Sequence, residues 1–295
     1  MIIDTEKHKK HAPSVTVIMP WRDQGDLDRR ASMQWLVGWY ERKFPDWNIM
    51  LADSPADELW SKPMAINNAA EMAPSDVIIV TDTDVVPDQD VLRTAARHAL
   101  TAPWVIPHGL VHRLRPEPTE RLLSAYGVSI PLGPLVRSPY RGIPGGGLFV
   151  IRTERFLATG GFDPAFKGWG GEDSAWGVCA DTLIGSHLRY PHVNLLHMYH
   201  APGLREVNPH YSENVRRVVQ YRQAQDDRVK MAHFRGVPLP ELDKVHMHMP
   251  QRTDTCEEWL LYLNHIGVEV PRMASSQKLA LIALAIQNEP GVNRW

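Results

Sequence analysis

A chain of 295 residues with 43% hydrophobic and 22% charged side chains can bury the core of one large domain, which excludes a disordered or fibrous protein. The formal net charge of −2 excludes a global attraction to nucleic acid or anionic membrane. Two distant cysteines, Cys179 and Cys256, exclude a disulfide framework and a cysteine-type zinc site, which fits a reducing compartment.

Met1 to Pro13 is polar and basic, without the apolar run of a signal peptide, and no stretch approaches the roughly 20 apolar residues that span a bilayer. A cytoplasmic protein is therefore expected. Ser14–Met19 (SVTVIM) predicts a first strand, and Leu27–Phe44 carries apolar residues at helical spacing. Trp47–Ala52 predicts a second strand ending at Asp53, and Lys62–Met72 a short helix. Val77–Val80 (VIIV) has the unbroken apolar character of a central strand, followed by Thr81-Asp82-Thr83-Asp84. A helix over Asp88–Leu100 and a strand at Trp104–Pro107 come next. From Pro107 to Pro144 the pattern weakens into a surface excursion around a helix near Thr119–Tyr126. Order returns with Gly145-Gly146-Gly147 and a strand at Leu148–Ile151, then helices from Thr153 and over Glu172–Leu183. Tyr190–His200 predicts a strand bearing histidines, and Tyr211–Lys230 a charged helix. Further helices are expected near Cys256–Ile266 and Ser276–Gln287. Short β-branched runs alternating with amphipathic stretches predict an α/β fold with a mostly parallel sheet. The expected organisation is a tail over 1–13, a catalytic domain over 14–210 and a helical C-terminal extension over 211–295.

Two acids one residue apart, just past a central strand, stand where parallel sheets bind ligands. A hard divalent ion takes oxygen ligands, one or two carboxylates together with substrate phosphates. Asp82 and Asp84 thus suit a metal that also holds a diphosphate, although a solvated acidic turn has the same residues. In Gly168-Trp169-Gly170-Gly171-Glu172-Asp173 the glycines permit close backbone approach, Trp169 offers an apolar plate for a sugar ring, and the two acids open a helix. A helix-start acid pair is the plain alternative for Glu172 and Asp173.

The order of these motifs, from the first strand and Pro20 through Asp-x-Asp to GGGLFVIRTERFLATGGFDPAFKGWGGEDSAWG and NLLHMYHAPG, resembles glycosyltransferases of the GT-A fold. The likeness is nearest to family-2-like enzymes and to galactosyl- and N-acetylgalactosaminyltransferases with a Trp-Gly-Gly-Glu motif, and covers about Val15 to Asn208. It implies a three-layer α/β/α sandwich and transfer of a sugar from a nucleotide-diphospho-sugar, UDP-sugars being commonest, to an acceptor hydroxyl with Mn²⁺ or Mg²⁺. It implies that Pro20, Trp21, Arg22, Asp53, Lys62 and Asn67 (or Asn68) line the donor pocket with Asp82. Gly146, Gly147 and Trp169 would border the sugars, and Asp84 would ligate the metal, with Asp82 in its shell. Asp173 or Glu172 would be the general base, and His197 or His200 would complete the metal site. On a strand, a His-x-x-His pair points to opposite faces, so only one of the two is expected to reach the ion.

Inversion follows if the activated hydroxyl attacks in line, whereas the N-acetylgalactosaminyltransferases with this motif retain configuration. A sugar-1-phosphate nucleotidyltransferase would want a triphosphate loop after the first strand, where Trp21-Arg22-Asp23-Gln24-Gly25 stands instead. A non-catalytic sugar-nucleotide-binding module would not need the acids and histidines. Acceptors from glycans, proteins and lipids to modified nucleobases are all compatible. Arg113, Arg115, Arg121, Arg137 and Arg141 read as a solvated face or an acceptor-loop feature.

Overall fold

The computed structural model describes residues 12–55, 60–124, 135–168, 170–201 and 208–245. The expected Trp169 and the helices near Cys256 and Ser276 lie outside the described residues, as does most of the tail.

The central sheet has six strands, β1 (Val15–Pro20), β2 (Asn48–Ala52), β3 (Val77–Thr81), β5 (Val105–Ile106), β8 (Leu148–Arg152) and β9 (Leu188–Arg189), in the order β2-β1-β3-β8-β5-β9. β1 runs parallel to β2 and β3, and β5 parallel to β9, while β8 is antiparallel to both of its neighbours. The sheet is thus mixed but mostly parallel. Every residue of β1 and β3 is buried, as the apolar run Val77–Val80 predicts for a central strand covered on both faces.

Side chains alternate between two cores. Val15, Val17, Met19, Val77 and Ile79 pack with Trp35, Leu36, Trp39 and Tyr40 of α1 (Leu27–Lys43) and with Leu92, Ala95 and Ala96 of α3 (Gln89–His98). Ile18, Ile78, Val80, Phe149 and Ile151 face the opposite core, with α2 (Lys62–Met72), α5 (Thr153–Ala158) and α6 (Glu172–Ile184). This is the expected α/β/α sandwich. Side-chain caps set the helix starts: Asp26 accepts from the Arg29 N–H, Ser61 from Met64, and Asp88 from Asp90 and Val91.

Two expectations change. Pro107–Pro144, read as a surface excursion, holds β6 (Leu110–Arg113), α4 (Pro116–Ser124) and β7 (Tyr140–Arg141). With β4 (Val85–Val86) and β10 (Asn194–His197) these strands form a second sheet, ordered β4-β10-β6-β7. Two- to four-residue strands are too short to show a period of two, and their pairing is entirely long-range. The charged helix expected over Tyr211–Lys230 is two helices, α7 (Tyr211–Gln223) and α8 (Arg228–Arg235), followed by α9 (Leu239–Val245). The break falls at Asp226, with φ 65°, and Asp227 caps α8 by accepting from the Lys230 N–H. Tyr221, Met231, Ala232 and Leu242 join the α6 core, so residues 211–245 share the hydrophobic interior of the preceding chain.

Candidate active site

The two sheets meet at the turn between β3 and β4, and that turn is Asp82-Thr83-Asp84. Antiparallel pairing sets His197 against Val85, and the Met198 N–H donates to the Asp84 carbonyl at 2.7 Å. A cavity of about 540 Å³ opens there. Its wall includes Pro20, Lys62, Asp82, Asp84, Gly146, Gly147, Glu172, Asp173, His197 and His200, so the sequence-predicted residues from six separate segments converge.

Asp84 sits in the inner part. Its carboxylate is buried, with Oδ2 at 3.3 Å from His200 Nε2 and Oδ1 at 3.8 Å from His197 Nε2. Asp84 Oδ1 has no hydrogen-bond partner. One ligand atom from each of the three residues falls within 4.8 Å of the others. His197 Nδ1 lies 2.7 Å from the Met198 carbonyl oxygen, and His200 Nδ1 lies 2.7 Å from that of Ala201. A carbonyl only accepts, so His197 Nδ1 carries the proton and its Nε2 presents a lone pair, while His200 Nδ1 stands between the Ala201 carbonyl and the Arg29 guanidinium, 3.2 Å away. Burial, aided by Arg29, holds the His200 pKa below its usual value, against the pull of Asp84, which keeps the ring neutral. Burial pushes the Asp84 pKa up, but the flanking His197 and His200 and the charges of Arg29 and Lys62 outweigh it and hold the carboxyl below its usual range. Two imidazoles and a carboxylate gathered at one point suit a divalent cation, with a carbonyl behind each ring. The residues present therefore fit the metal that the motifs imply.

The convergence of both histidines departs from the strand rule. β10 ends at His197, and residues 198–200 leave the strand, so His200 is free to turn back towards Asp84.

Asp82 has a different partner. Lys62, the first residue of α2, reaches Asp82 Oδ1 at 2.8 Å and Asp173 Oδ1 at 3.0 Å. Burial alone would lower the Lys62 pKa, but Asp173, Asp82 and Glu172 outweigh it and hold the ammonium well above its usual value. Asp173 is pushed up to about 7, chiefly by burial and further by Glu172 and Asp82, with Lys62 opposing. Glu172 is buried and its Oε2 accepts from the Gly170 N–H at 3.0 Å. The start of α6 is fixed by Gly171, which holds φ 98° where a Cβ would meet Val218 at 2.7 Å. Gly145, with φ 86°, lies so close to α6 that a Cβ would stand 2.4 Å from the Asp173 carbonyl oxygen. These glycines let backbone meet helix, which seats Asp173 against Gly146 at the cavity wall.

The remaining expected donor residues divide. Arg22 Nε donates to both oxygens of Asp53, at 2.8 and 3.1 Å, pinning the end of β2 next to Trp21, whose N–H donates to Ala52. Asn67 is a correction: both halves of its carboxamide bind the Phe162 backbone, at 2.8 Å each, so it ties α2 to the loop before α6 and faces no ligand. The sequence did not place Arg29, Trp60 or Tyr140 in the cavity, and Arg113 and Arg137 read as a solvated face or an acceptor-loop feature; all five line the wall. Alternation on β6 could have signalled Val111 and Arg113 as one face, had that strand been recognised.

Residues 134–201 match the family model described as the N-terminal domain of galactosyltransferase. That segment carries Gly146, Gly147, Glu172, Asp173, His197 and His200, the same stretch that bears the most specific motifs. No curated protein sequence matches the chain. Among solved structures, the chain is similar to GalNAc-T7 with UDP, GalNAc and Mn²⁺, at 14% identity and TM-score 0.44, over 79% of this chain and 57% of that one. It is also similar to the catalytic domain of Drosophila β1,4-galactosyltransferase 7 complexed with xylobiose, at 18% identity and TM-score 0.34, over 60% and 64% of the two chains. A third is the mannosyltransferase PcManGT of Pyrobaculum calidifontis with GDP-Man and Mn²⁺, at 15% identity and TM-score 0.43, over 95% and 82%. The chain thus spans less than two thirds of the length of the first two. Among the described residues, no helix is long and apolar enough to cross a membrane.

Proposed function

We propose that the protein is a metal-dependent glycosyltransferase that moves a sugar from a nucleotide-diphospho-sugar to an acceptor hydroxyl. The observation that carries this reading is the junction of two devices in one cavity, the Asp84–His197–His200 cluster and the Asp82–Lys62–Asp173 chain. A divalent ion bound by Asp84, His197 and His200 would neutralise charge developing on the leaving diphosphate. Two imidazoles beside one carboxylate favour Mn²⁺ over Mg²⁺, which prefers an all-oxygen shell. Lys62 adds a fixed positive charge beside Asp82.

Asp173 is the general base in this reading. An alcohol is a poor nucleophile at neutral pH, and a base with a pKa near 7 is matched to that work. Its side chain stays partly accessible in the cavity, whereas Glu172 is buried and holds the Gly170 N–H. Asp173 takes the acceptor proton as the hydroxyl oxygen bonds to the anomeric carbon and the diphosphate leaves. Attack from the face opposite the leaving group inverts that carbon. A UDP-sugar is the favoured donor, on the sequence resemblance alone, and the Trp169 segment would border the sugars.

The test is a mass-spectrometric screen of UDP-, GDP- and dTDP-sugars with Mn²⁺, using wild type and Asp173→Asn. Wild type is expected to consume one donor. The variant should still bind it in the presence of Mn²⁺ and lose transfer by roughly 10²–10⁴-fold. Near-full turnover by the variant would move the base to Glu172, and no Mn²⁺-dependent nucleotide binding by wild type would refute the reading.

A further inference from the structure

Arg113 and His197 are register partners in the parallel pair β6–β10, so their side chains leave the second sheet on one face. The Arg113 guanidinium donates from Nη2 to His197 Nε2 at 3.0 Å. That is the lone pair which the Asp84–His197–His200 cluster would offer a metal, because His197 Nδ1–H is committed to the Met198 carbonyl. An imidazole nitrogen has one lone pair, so a guanidinium N–H and a metal ion cannot share it. Arg29 differs: it contacts His200 at Nδ1, 3.2 Å away, and not at the Nε2 that faces Asp84.

We infer that Arg113 is an internal competitor for the metal site, a built-in cation that holds down affinity for the free ion and yields the site when an anionic donor arrives with it. The inference rests on the metal reading of Asp84, His197 and His200. Three features support it. Arg113 Nε is buried without a hydrogen-bond partner, while Nη2 is engaged by His197. Arg113 also lines the cavity, so a guanidinium displaced from His197 meets the space an anionic ligand of the metal would fill. Finally, a metal on His197 Nε2 would lie within a few ångströms of the guanidinium, and like charges at that separation repel strongly in a cavity shielded from water. A diphosphate relieves the repulsion by giving the displaced arginine an anion. Metal and nucleotide binding would then be mutually reinforcing, with Arg113 the element both bias.

The test measures Mn²⁺ binding by electron paramagnetic resonance, without nucleotide and with saturating UDP, in wild type, Arg113→Met and Arg113→Lys. Wild type should bind Mn²⁺ weakly alone and about tenfold or more tightly with UDP. Arg113→Met, of similar length but uncharged, should bind Mn²⁺ alone about tenfold more tightly than wild type and lose most of the UDP effect. Arg113→Lys keeps a charge without the planar fork and should fall between the two, which also guards against a misfolded Met variant. Unchanged or weaker Mn²⁺ binding in both variants would overturn the role of Arg113 while leaving the metal site standing. Absence of Mn²⁺ binding by wild type with and without UDP would remove the metal reading and this inference with it.

Discussion

Asp82 and Asp84 belong to one turn and point into one cavity, yet their surroundings are opposite. Asp82 is neutralised by a resident cation, Lys62, which it shares with Asp173. Asp84 faces two imidazole edges and keeps an oxygen with no hydrogen-bond donor. The first device is complete within the protein, and the second has the form of a ligand set. A difference of two positions in the chain therefore separates a fixed charge network from what we propose is a site for an exchangeable ion. The lesson is that an Asp-x-Asp motif need not be a pair of equivalent ligands.

The largest test of this contrast is Asp84→Ala. It should weaken Mn²⁺-dependent nucleotide-sugar binding on the order of 100-fold or more, read by calorimetry with and without the ion. Asp82→Ala should weaken it much less, and equal losses would erase the distinction between the two acids.

Next comes Lys62→Met, which leaves the half-buried Asp82 and Asp173 near one another without a counter-charge. Breaking a buried ion network is costly, and the melting temperature should fall by roughly several degrees. Because Lys62 holds the Asp173 pKa down, its loss should also move the acid limb of the pH–rate profile to higher pH. An unmoved limb would mean that Asp173 is not the titrating base.

A smaller effect follows from Asp173 itself. Its pKa is raised from 3.8 to about 7 in the fold, so between those values the folded state binds more protons than the unfolded chain. The stabilisation that goes with the protonated group is fully present below pH 3.8 and is lost as pH rises through about 7. Asp173→Asn should therefore raise the melting temperature at pH 8 by about a few degrees relative to wild type and by less at pH 5. The rate runs the other way, since the base must be deprotonated and activity declines below about pH 7. Equal melting shifts at both pH values would contradict the raised pKa.

The smallest effect lies outside the cavity. Asn214 of α7 is buried, and its carboxamide takes both backbone groups of Lys167, at 3.4 Å to the N–H and 3.0 Å to the carbonyl, just before Gly168 at the cavity wall. Asn214→Ala should lower turnover by about tenfold or less through misplacement of the loop that leads to Asp173. Mn²⁺ affinity should stay unchanged, and a parallel loss of it would mean a general loosening of the fold.

The sequence by itself determined the central strands and their helices, because β3 opens with the apolar run VIIV, β1 is dominated by β-branched and apolar residues, and α1 carries apolar residues at near-helical spacing. It also marked the segment that holds the acids, since Gly145–Gly177 carries the most specific motifs and lies within the residues 134–201 that match a galactosyltransferase family model. The tertiary structure decided the rest. Only the second sheet, made of strands of two to four residues, brings His197 beside Asp84 and Arg113 beside His197. Only the end of β10 lets His200 turn back to the same carboxylate. Asn67 reads like a donor residue in a Lys-x-x-x-x-Asn helix, but the Phe162 backbone takes its amide. Local pattern reports which face a side chain leaves from, whereas its partner is set by contacts dozens of residues away, and those exist only once the chain has closed on itself.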